Sequence, residues 1–314
     1  MKKILFTGCG GQIGSELTLA FRKLYGNDNI IASDLSTKVC PDLLNSGPFV
    51  QLDVLDTKAL SEIIDKYKVD GIVHLAAILS AVGEKNPQLA WNVNINGTVN
   101  IFEVAREKKL KRVLVPSSIA AFGPDTPQTM TPQKTILNPT TMYGVTKVAL
   151  ELLGNYYNLK YDMDIRGLRY PGVISHKTQP GGGTTDYAVA IYFDAVKQGS
   201  YECFLKEDTM LPMIYMPDCL KATTELFQAE KSRLKNATGY NLAAFSVTPK
   251  EMTESIQKVI PGFKISYSPD YRQEIADSWP DSIDDKEARN EWDWKPDYDL
   301  DSMTVDIIKE IRLK

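Results

Sequence analysis

Three glycines at fixed spacing constrain this chain more than any other feature. The apolar run Ile4-Leu5-Phe6-Thr7 leads straight into Gly8, Gly11 and Gly14, and an amphipathic pattern follows through Leu17, Leu19, Ala20, Phe21 and Leu24. Strand, turn and helix in that order need the glycines for three reasons: a tight turn, close approach of backbone to a pyrophosphate, and tight helix-on-strand packing. The helix start then offers unpaired N–H groups and the positive end of its dipole. Gly8, Gly11, Gln12, Ile13 and Gly14 are therefore candidate contacts for a dinucleotide.

The next strands continue that reading. Ile30-Ile31-Ala32-Ser33 ends at Asp34, where an acid is expected about 20 residues past the glycines. A carboxylate there accepts hydrogen bonds from a ribose 2′-hydroxyl and repels a 2′-phosphate. Leu35-Ser36-Thr37 supplies no arginine to offset the repulsion, so the expected cofactor is NAD rather than NADP. Phe49-Val50-Gln51-Leu52 reads as a strand ending at Asp53 and Val54, expected at the adenine edge. His74-Leu75-Ala76-Ala77 closes a fourth strand with small residues that let backbone approach the cofactor.

Strand and helix patterns alternate as far as about residue 175. Leu60 to Tyr67 is a helical stripe, residues 87–109 and 143–161 read as two long helices, and Arg112-Val113-Leu114-Val115 and Ile165-Arg166-Gly167-Leu168 read as strands. This rhythm predicts an α/β fold with a doubly wound parallel sheet. Beyond it glycines and prolines gather at Pro180-Gly181-Gly182-Gly183 and again at Pro261, Pro269 and Pro280. We expect residues 1–175 to form the NAD-binding domain and 176–314 a smaller, irregular substrate lobe, with some segments returning to the main sheet. Thr248-Pro249-Lys250-Glu251 predicts a helix start with a capping box.

Composition narrows the partners. A net charge of −4 gives no electrostatic case for nucleic acid or an anionic membrane surface. No apolar run reaches spanning length, and the first strand begins at residue 3. The expected location is the cytoplasm, or an organelle matrix if a targeting segment has been removed. Cys9, Cys40, Cys203 and Cys219 are scattered, and with only His74 and His176 beside them no zinc cluster is expected. They read as free thiols.

The chemistry is expected at Ser118, Tyr143 and Lys147. Tyr143-Gly144-Val145-Thr146-Lys147 puts a phenol and an ammonium one helical turn apart on the same face. A free tyrosine titrates near 10; the lysine, with a cationic nicotinamide, is expected to lower that value and make the phenol a usable base. Tyr156 and Lys160 repeat the spacing. Only Tyr143 stands in a first helical turn at the carboxyl end of the sheet, with a serine partner in Pro116-Ser117-Ser118.

Taken together, the glycine triplet, Asp34, Asp53, His74-Leu75-Ala76-Ala77, Asn94-x-Asn96-Gly97-Thr98, Ser117-Ser118, Tyr143-x-x-x-Lys147 and Arg169-Tyr170-Pro171 resemble the extended short-chain dehydrogenase/reductase superfamily. The resemblance implies a Rossmann fold, with Ser118 holding the substrate hydroxyl, Tyr143 as acid/base and Lys147 on the nicotinamide ribose. It also implies Asn94 in a supporting helix, Leu75, Ala76, Ala77, Asn94 and Tyr170 near the cofactor, and a homodimer built on the two long helices.

Within that superfamily, nucleotide-sugar epimerases and dehydratases carry an arginine for the substrate diphosphate. Leu211 stands at the corresponding place, and a leucine cannot neutralise a diphosphate. Pro180 to Tyr187 with its flanks instead resembles the short-chain L-threonine 3-dehydrogenases, which implies substrate contacts from Ser80, Gly182, Thr184, Thr185 and Trp279. Glycine-rich backbone and two hydroxyls suit a small zwitterion. The favoured reading is NAD-dependent oxidation of L-threonine at C3 to 2-amino-3-oxobutanoate, without metal. A nucleotide-sugar epimerase or dehydratase and a non-catalytic dinucleotide sensor remain as alternatives, since fold alone does not decide function.

Overall fold

The computed structural model describes residues 2–178 and 183–313. In its first half the strands run Ile4–Thr7 (β1), Ile30–Asp34 (β2), Phe49–Gln51 (β3), Gly71–His74 (β4), Arg112–Leu114 (β5), Ser117–Ser118 (β6), Ile165–Arg166 (β7), Leu168–Tyr170 (β8) and Gly172–Ile174 (β9). Six of them form one parallel sheet in the order β3-β2-β1-β4-β5-β7. The order reverses between β1 and β4, and a doubly wound sheet opens a crevice there, beyond the carboxyl ends of its strands.

Alternate residues of these strands feed two cores, because successive side chains point to opposite faces. On one face Ile4, Phe6, Ile30, Ala32 and Val73 meet Leu17 and Phe21 from the Gln12–Tyr25 helix. On the other, Leu5, Ile31, Ile72 and Val113 meet Leu60, Ile64, Ile101, Phe102, Leu150 and Tyr157. Both faces are therefore dry, and β1 and β4 are buried at every residue, as parallel strands covered by helices must be.

The second half adds Ser200–Cys203 (β10), Leu211–Tyr215 (β11), Tyr240–Asn241 (β12), Phe245–Val247 (β13) and Lys264–Tyr267 (β14). These build smaller sheets, β13-β11-β9, β12-β8-β6 and β10-β14. A further core gathers Tyr187, Tyr192, Leu211, Met213, Met252, Met303 and Ile307, and takes in Ile119, Ala120 and Phe122 from the first half. The Met216–Gln228 helix returns to the main body, where Phe227 meets Phe21 edge-on at 5.3 Å. At its carboxyl end the buried Arg166 donates to the Leu226 and Ala229 carbonyls at 2.6 and 2.7 Å and pairs with Asp164 at 2.6 Å. A cation is favoured there by the helix dipole. The predicted capping box of Thr248 and Glu251 is present.

Two elements differ from the sequence reading. The expected strand 165–168 breaks at Gly167 into β7 and β8, which belong to different sheets. The expected single helix 87–109 is Pro87–Trp91, a π-helical turn at Asn92–Asn96, and Gly97–Glu107. π-helical turns recur at functional sites. No described helix is long and apolar enough to cross a membrane.

Candidate active site

A cleft of about 260 Å³ lies at the reversal of strand order. The glycine loop forms one wall. Gly8 has φ +72°, and a Cβ on it would fall 2.4 Å from the Ala76 nitrogen; one on Gly14 would fall 2.2 Å from the Gly8 oxygen. Neither position admits a side chain. A Cβ on Gly11 would meet only the Gly8 oxygen, at 3.5 Å, so Gly11 faces the open space that a pyrophosphate requires. Gly11 caps the Gln12–Tyr25 helix without a side-chain hydrogen bond, and the helix start fits the phosphates of a dinucleotide.

Gly8, Gly11, Gln12, Ile13, Gly14, Leu75, Ala76, Ala77, Asn94 and Tyr170 all line the cleft. Asp34, Asp53 and Val54 lie outside its lining. Asp34 is tied to the loop all the same: its carboxylate accepts from the Gly10 N–H at 2.8 Å and the Ser36 N–H at 3.0 Å. Asp53 accepts from the Leu55 N–H at 2.9 Å, and Val54 is buried where a Cβ on Gly97 would meet it at 2.8 Å. Asn94, in the π-helical turn, spends its amide on protein: it accepts from the Ile78 N–H at 2.8 Å and donates to the Ile78 carbonyl and the Thr146 hydroxyl, each at 3.1 Å. It thereby pins the loop after β4 to the Met142–Tyr161 helix.

Ser118, Tyr143 and Lys147 converge on the same cleft. Thr141 caps the helix, so Tyr143 stands in its first turn, facing the cleft with Ser118. The Lys147 Nζ donates to the Pro116 carbonyl at 2.8 Å and sits 5.3 Å from the centre of the Tyr143 ring. Of the two charges expected to lower the phenol, the lysine alone does not suffice. Tyr143 opens partly onto the cleft but is otherwise enclosed by protein, and burial pushes its phenol up to about 12. Lys147 does not offset this. Its charge faces the ring and is spent on a carbonyl, and burial lowers Lys147 itself to about 8, against the raising effect of Glu151. Within the protein alone, desolvation outweighs the lysine. The Tyr156–Lys160 pair has no such setting; Tyr156 is half exposed and packs edge-on with Tyr157 and Tyr161.

Ser80, Thr184, Thr185 and Trp279, which the resemblance makes substrate contacts, line the cleft, while Gly182 lies outside the described residues. Thr184 is buried, and its Oγ1 has no hydrogen-bond partner among the described residues. A buried hydroxyl left in that state is costly unless a ligand completes it. Leu211 is fully buried in the second-half core, and no arginine is among the described residues lining the cleft. Among the described residues no cluster of three or more His, Cys, Asp or Glu side chains could hold a metal, and the four cysteines are free thiols.

Sequence reasoning missed Glu151. This buried acid stands one turn beyond Lys147 on the same helix face, and its Oε1 and Oε2 accept from Arg169 at 2.9 and 2.7 Å. The signal was available, since a carboxylate at that spacing shares the face of Tyr143 and Lys147. It also gave His74 no role in the site. His74 is buried between the hydroxyls of Thr7 and Thr98, at 2.7 and 3.0 Å, and burial lowers it to about 3, so it stands neutral.

A dinucleotide loop at a switch point, with serine, tyrosine and lysine beside it, defines a nucleotide-cofactor oxidoreductase site. Residues 4–243 match the NAD dependent epimerase/dehydratase family, and the chain belongs to that family, within the extended short-chain dehydrogenases/reductases. It is 50% identical to a Staphylococcus saprophyticus protein described as an uncharacterized epimerase/dehydratase, covering 100% of this chain and 98% of that one. Among solved structures it resembles an L-threonine dehydrogenase from Phytophthora infestans, with 52% identity, 99% of each chain covered and a TM-score of 0.95. A monomeric L-threonine 3-dehydrogenase from a metagenome is 47% identical, with 99% of each chain covered and a TM-score of 0.94. A nicotinamide dinucleotide is the cofactor this family implies.

Proposed function

We propose that this protein is an NAD-dependent L-threonine 3-dehydrogenase that oxidises the substrate at C3 to 2-amino-3-oxobutanoate. The observation that carries the reading is the cleft itself: Ser118, Tyr143 and Lys147 beside the glycine loop, with hydroxyls and no arginine among the described lining. That lining suits a small zwitterion better than a nucleotide diphosphate. The similarity to L-threonine dehydrogenases along the whole chain supports the same choice.

In this reading Gly8, Gly11, Gln12, Ile13 and Gly14 hold the pyrophosphate, Asp34 the adenine ribose and Lys147 the nicotinamide ribose, with Asp53 and Val54 toward the adenine. The bound dinucleotide supplies the acceptor for the C3 hydride. Ser118 and Tyr143 hold the 3-hydroxyl, and Tyr143, as the phenolate that the positive ring of the bound cofactor would favour together with Lys147, takes its proton. Ser80, Gly182, Thr184 and Thr185 fix the carboxylate and ammonium, and Trp279 closes the pocket. Asp34, with no arginine nearby in sequence, favours NAD over NADP.

The assembly we propose is a homodimer through the two long helices. Leu152, Leu159 and Tyr156 stand exposed on one, at 64%, 80% and 49%, and Trp91 on the other at 42%; an apolar stripe of this kind is unusual on a monomer's helix. Sedimentation of the parent and of a Leu152→Lys, Leu159→Lys variant tests this.

The activity is tested by mixing enzyme, NAD and L-threonine and following reduced-nicotinamide absorbance, with NADP and a UDP-sugar in parallel. Net reduction with threonine is the expected result. Interconversion of the UDP-sugar without net reduction would establish the epimerase instead, and cofactor binding without turnover would establish a sensor.

A further inference from the structure

Three consecutive residues of one segment each meet one of three residues spaced along a single helix face. Lys147 donates to the Pro116 carbonyl at 2.8 Å, the Ser117 hydroxyl donates to Glu151 Oε1 at 2.5 Å, and Ser118 and Tyr143 face each other across the cleft, where the serine eases the raised phenol. Tyr143, Lys147 and Glu151 recur every four residues, so they form one stripe on the Met142–Tyr161 helix. Glu151 is the only one of the three that does not line the cleft.

Its surroundings are built to hold it. Arg169 stands beside Ser117 in the β6–β8 ladder and grips both carboxylate oxygens. The Arg169 Nη1 donors go to the Gln133 carbonyl and Asn241 Oδ1, each at 3.0 Å. A Cβ on Gly239 would fall 2.5 Å from Glu151 Oε2, so that glycine makes room for the carboxylate. A bidentate pair reinforced by a third hydrogen bond, from Ser117, is geometrically stiff. A merely stabilising pair has no need to reach the segment that carries the reacting serine.

We propose that Glu151, clamped by Arg169, is a positioning residue that locks Pro116–Ser118 against the helix and so fixes the Ser118 hydroxyl relative to Tyr143 and Lys147. The inference rests on the proposed roles of Ser118, Tyr143 and Lys147. A second consequence follows from charge. Lys147 is buried among Tyr143 and Glu151 on its own helix, and its charge, after burial, helps hold His74 of β4 neutral; Arg169 lies beyond Glu151. Glu151 is thus the anion between two buried cations, and it favours the charged form of Lys147.

The test uses purified enzyme and three variants. Ser117→Ala removes only the link between segment and carboxylate; kcat should fall about 10-fold to 100-fold, with KM for NAD and the position of the pH profile unchanged. Glu151→Gln should lower kcat and also move the alkaline limb of the kcat profile down by about one pH unit, because Lys147 loses its counter-charge. Parental kcat in Ser117→Ala overturns the proposal whatever Glu151→Gln does, including a failure of that variant to fold. A Glu151→Gln profile scaled down without displacement overturns the charge role. Tyr143→Phe separates the two levels: if it keeps activity, the catalytic reading itself fails.

Discussion

Gly144→Ala tests how closely the reacting groups are held. A Cβ at this position would lie 2.2 Å from the Ala120 carbonyl oxygen and 2.5 Å from the Pro139 Cβ. That is about 1 Å short of ordinary contact, and the nearest atom is backbone that no rotamer change can move. Ala120 belongs to the 3₁₀ turn that follows Ser118, and its N–H donates to the Ser118 hydroxyl at 3.2 Å. Relief therefore requires the helix start, and Tyr143 with it, to retreat from Ser118 by about the missing 1 Å. A displacement of that size costs on the order of 10²-fold in kcat. Overpacking costs about 1–3 kcal/mol, offset by about 1 kcal/mol of helix propensity gained over glycine. The net loss of about 0–2 kcal/mol lowers Tm by only a few degrees. Threonine-dependent NAD reduction and a thermal melt on the same sample read both quantities. Gly262→Ala, where a Cβ meets nothing within 4 Å, is the control. Parental kcat in Gly144→Ala would refute the reasoning, as would a kcat loss no larger than the melting shift explains.

Other substitutions separate the roles. Tyr143→Phe should lose about 10²–10⁴-fold in turnover with NAD affinity retained, whereas Tyr156→Phe, half exposed and outside the cleft, should be nearly silent; equal losses in initial-rate assays would show that the wrong tyrosine was chosen. Thr184→Val keeps the shape but removes a buried hydroxyl without a partner among the described residues, so Tm should hold or rise while KM for threonine rises about 10-fold; an unchanged KM would mean that the hydroxyl meets no substrate. Lys147→Met should abolish most activity yet raise stability at neutral pH. The folded protein holds Lys147 at about 8 against an ordinary 10.5, so between those pH values the unfolded chain binds a proton that the folded one does not, and stability rises with pH. Below pH 8 the folded state bears the full desolvation cost, on the order of 3 kcal/mol. The gain from Lys147→Met should be largest there and fade toward pH 10.5 in denaturant melts; a gain that grows with pH would contradict it.

Features tied to fixed spacing were legible in the sequence. Gly8 and Gly14 stand where a Cβ would strike backbone, and Tyr143 and Lys147 share a helix face because four residues make about one turn. Features that depend on surroundings were not. A tyrosine beside a lysine and a cationic nicotinamide reads as a lowered phenol, but the sequence does not say how far the pair is desolvated, and in the protein alone burial outweighs the lysine. Glu151 reads as an ordinary helix acid until Arg169, Ser117 and Gly239 close round it from three other segments. The π-helical turn at Asn92–Asn96 has no local signature, since its residues suit an α-helix equally well.

Gly167 explains why the cleft opens where it does. The strand after the long helix enters the main sheet as β7, beside β5, and one residue later leaves it as β8 to lie between β6 and β12. At the step between, Gly167 donates to the Ala237 carbonyl at 2.7 Å and accepts from the Tyr240 N–H at 3.0 Å. A Cβ there would fall 2.5 Å from the Thr238 oxygen and 2.6 Å from the Val115 oxygen, so the crossing is passable only without a side chain. The division carries β6 out of the main sheet along with β8, and β6 is Ser117–Ser118. The segment bearing the serine is thus released from the sheet that holds the glycine loop and held from behind by Arg169, the next residue but one after the glycine. The bend that separates the two sheets is also the bend that presents Ser118 to Tyr143.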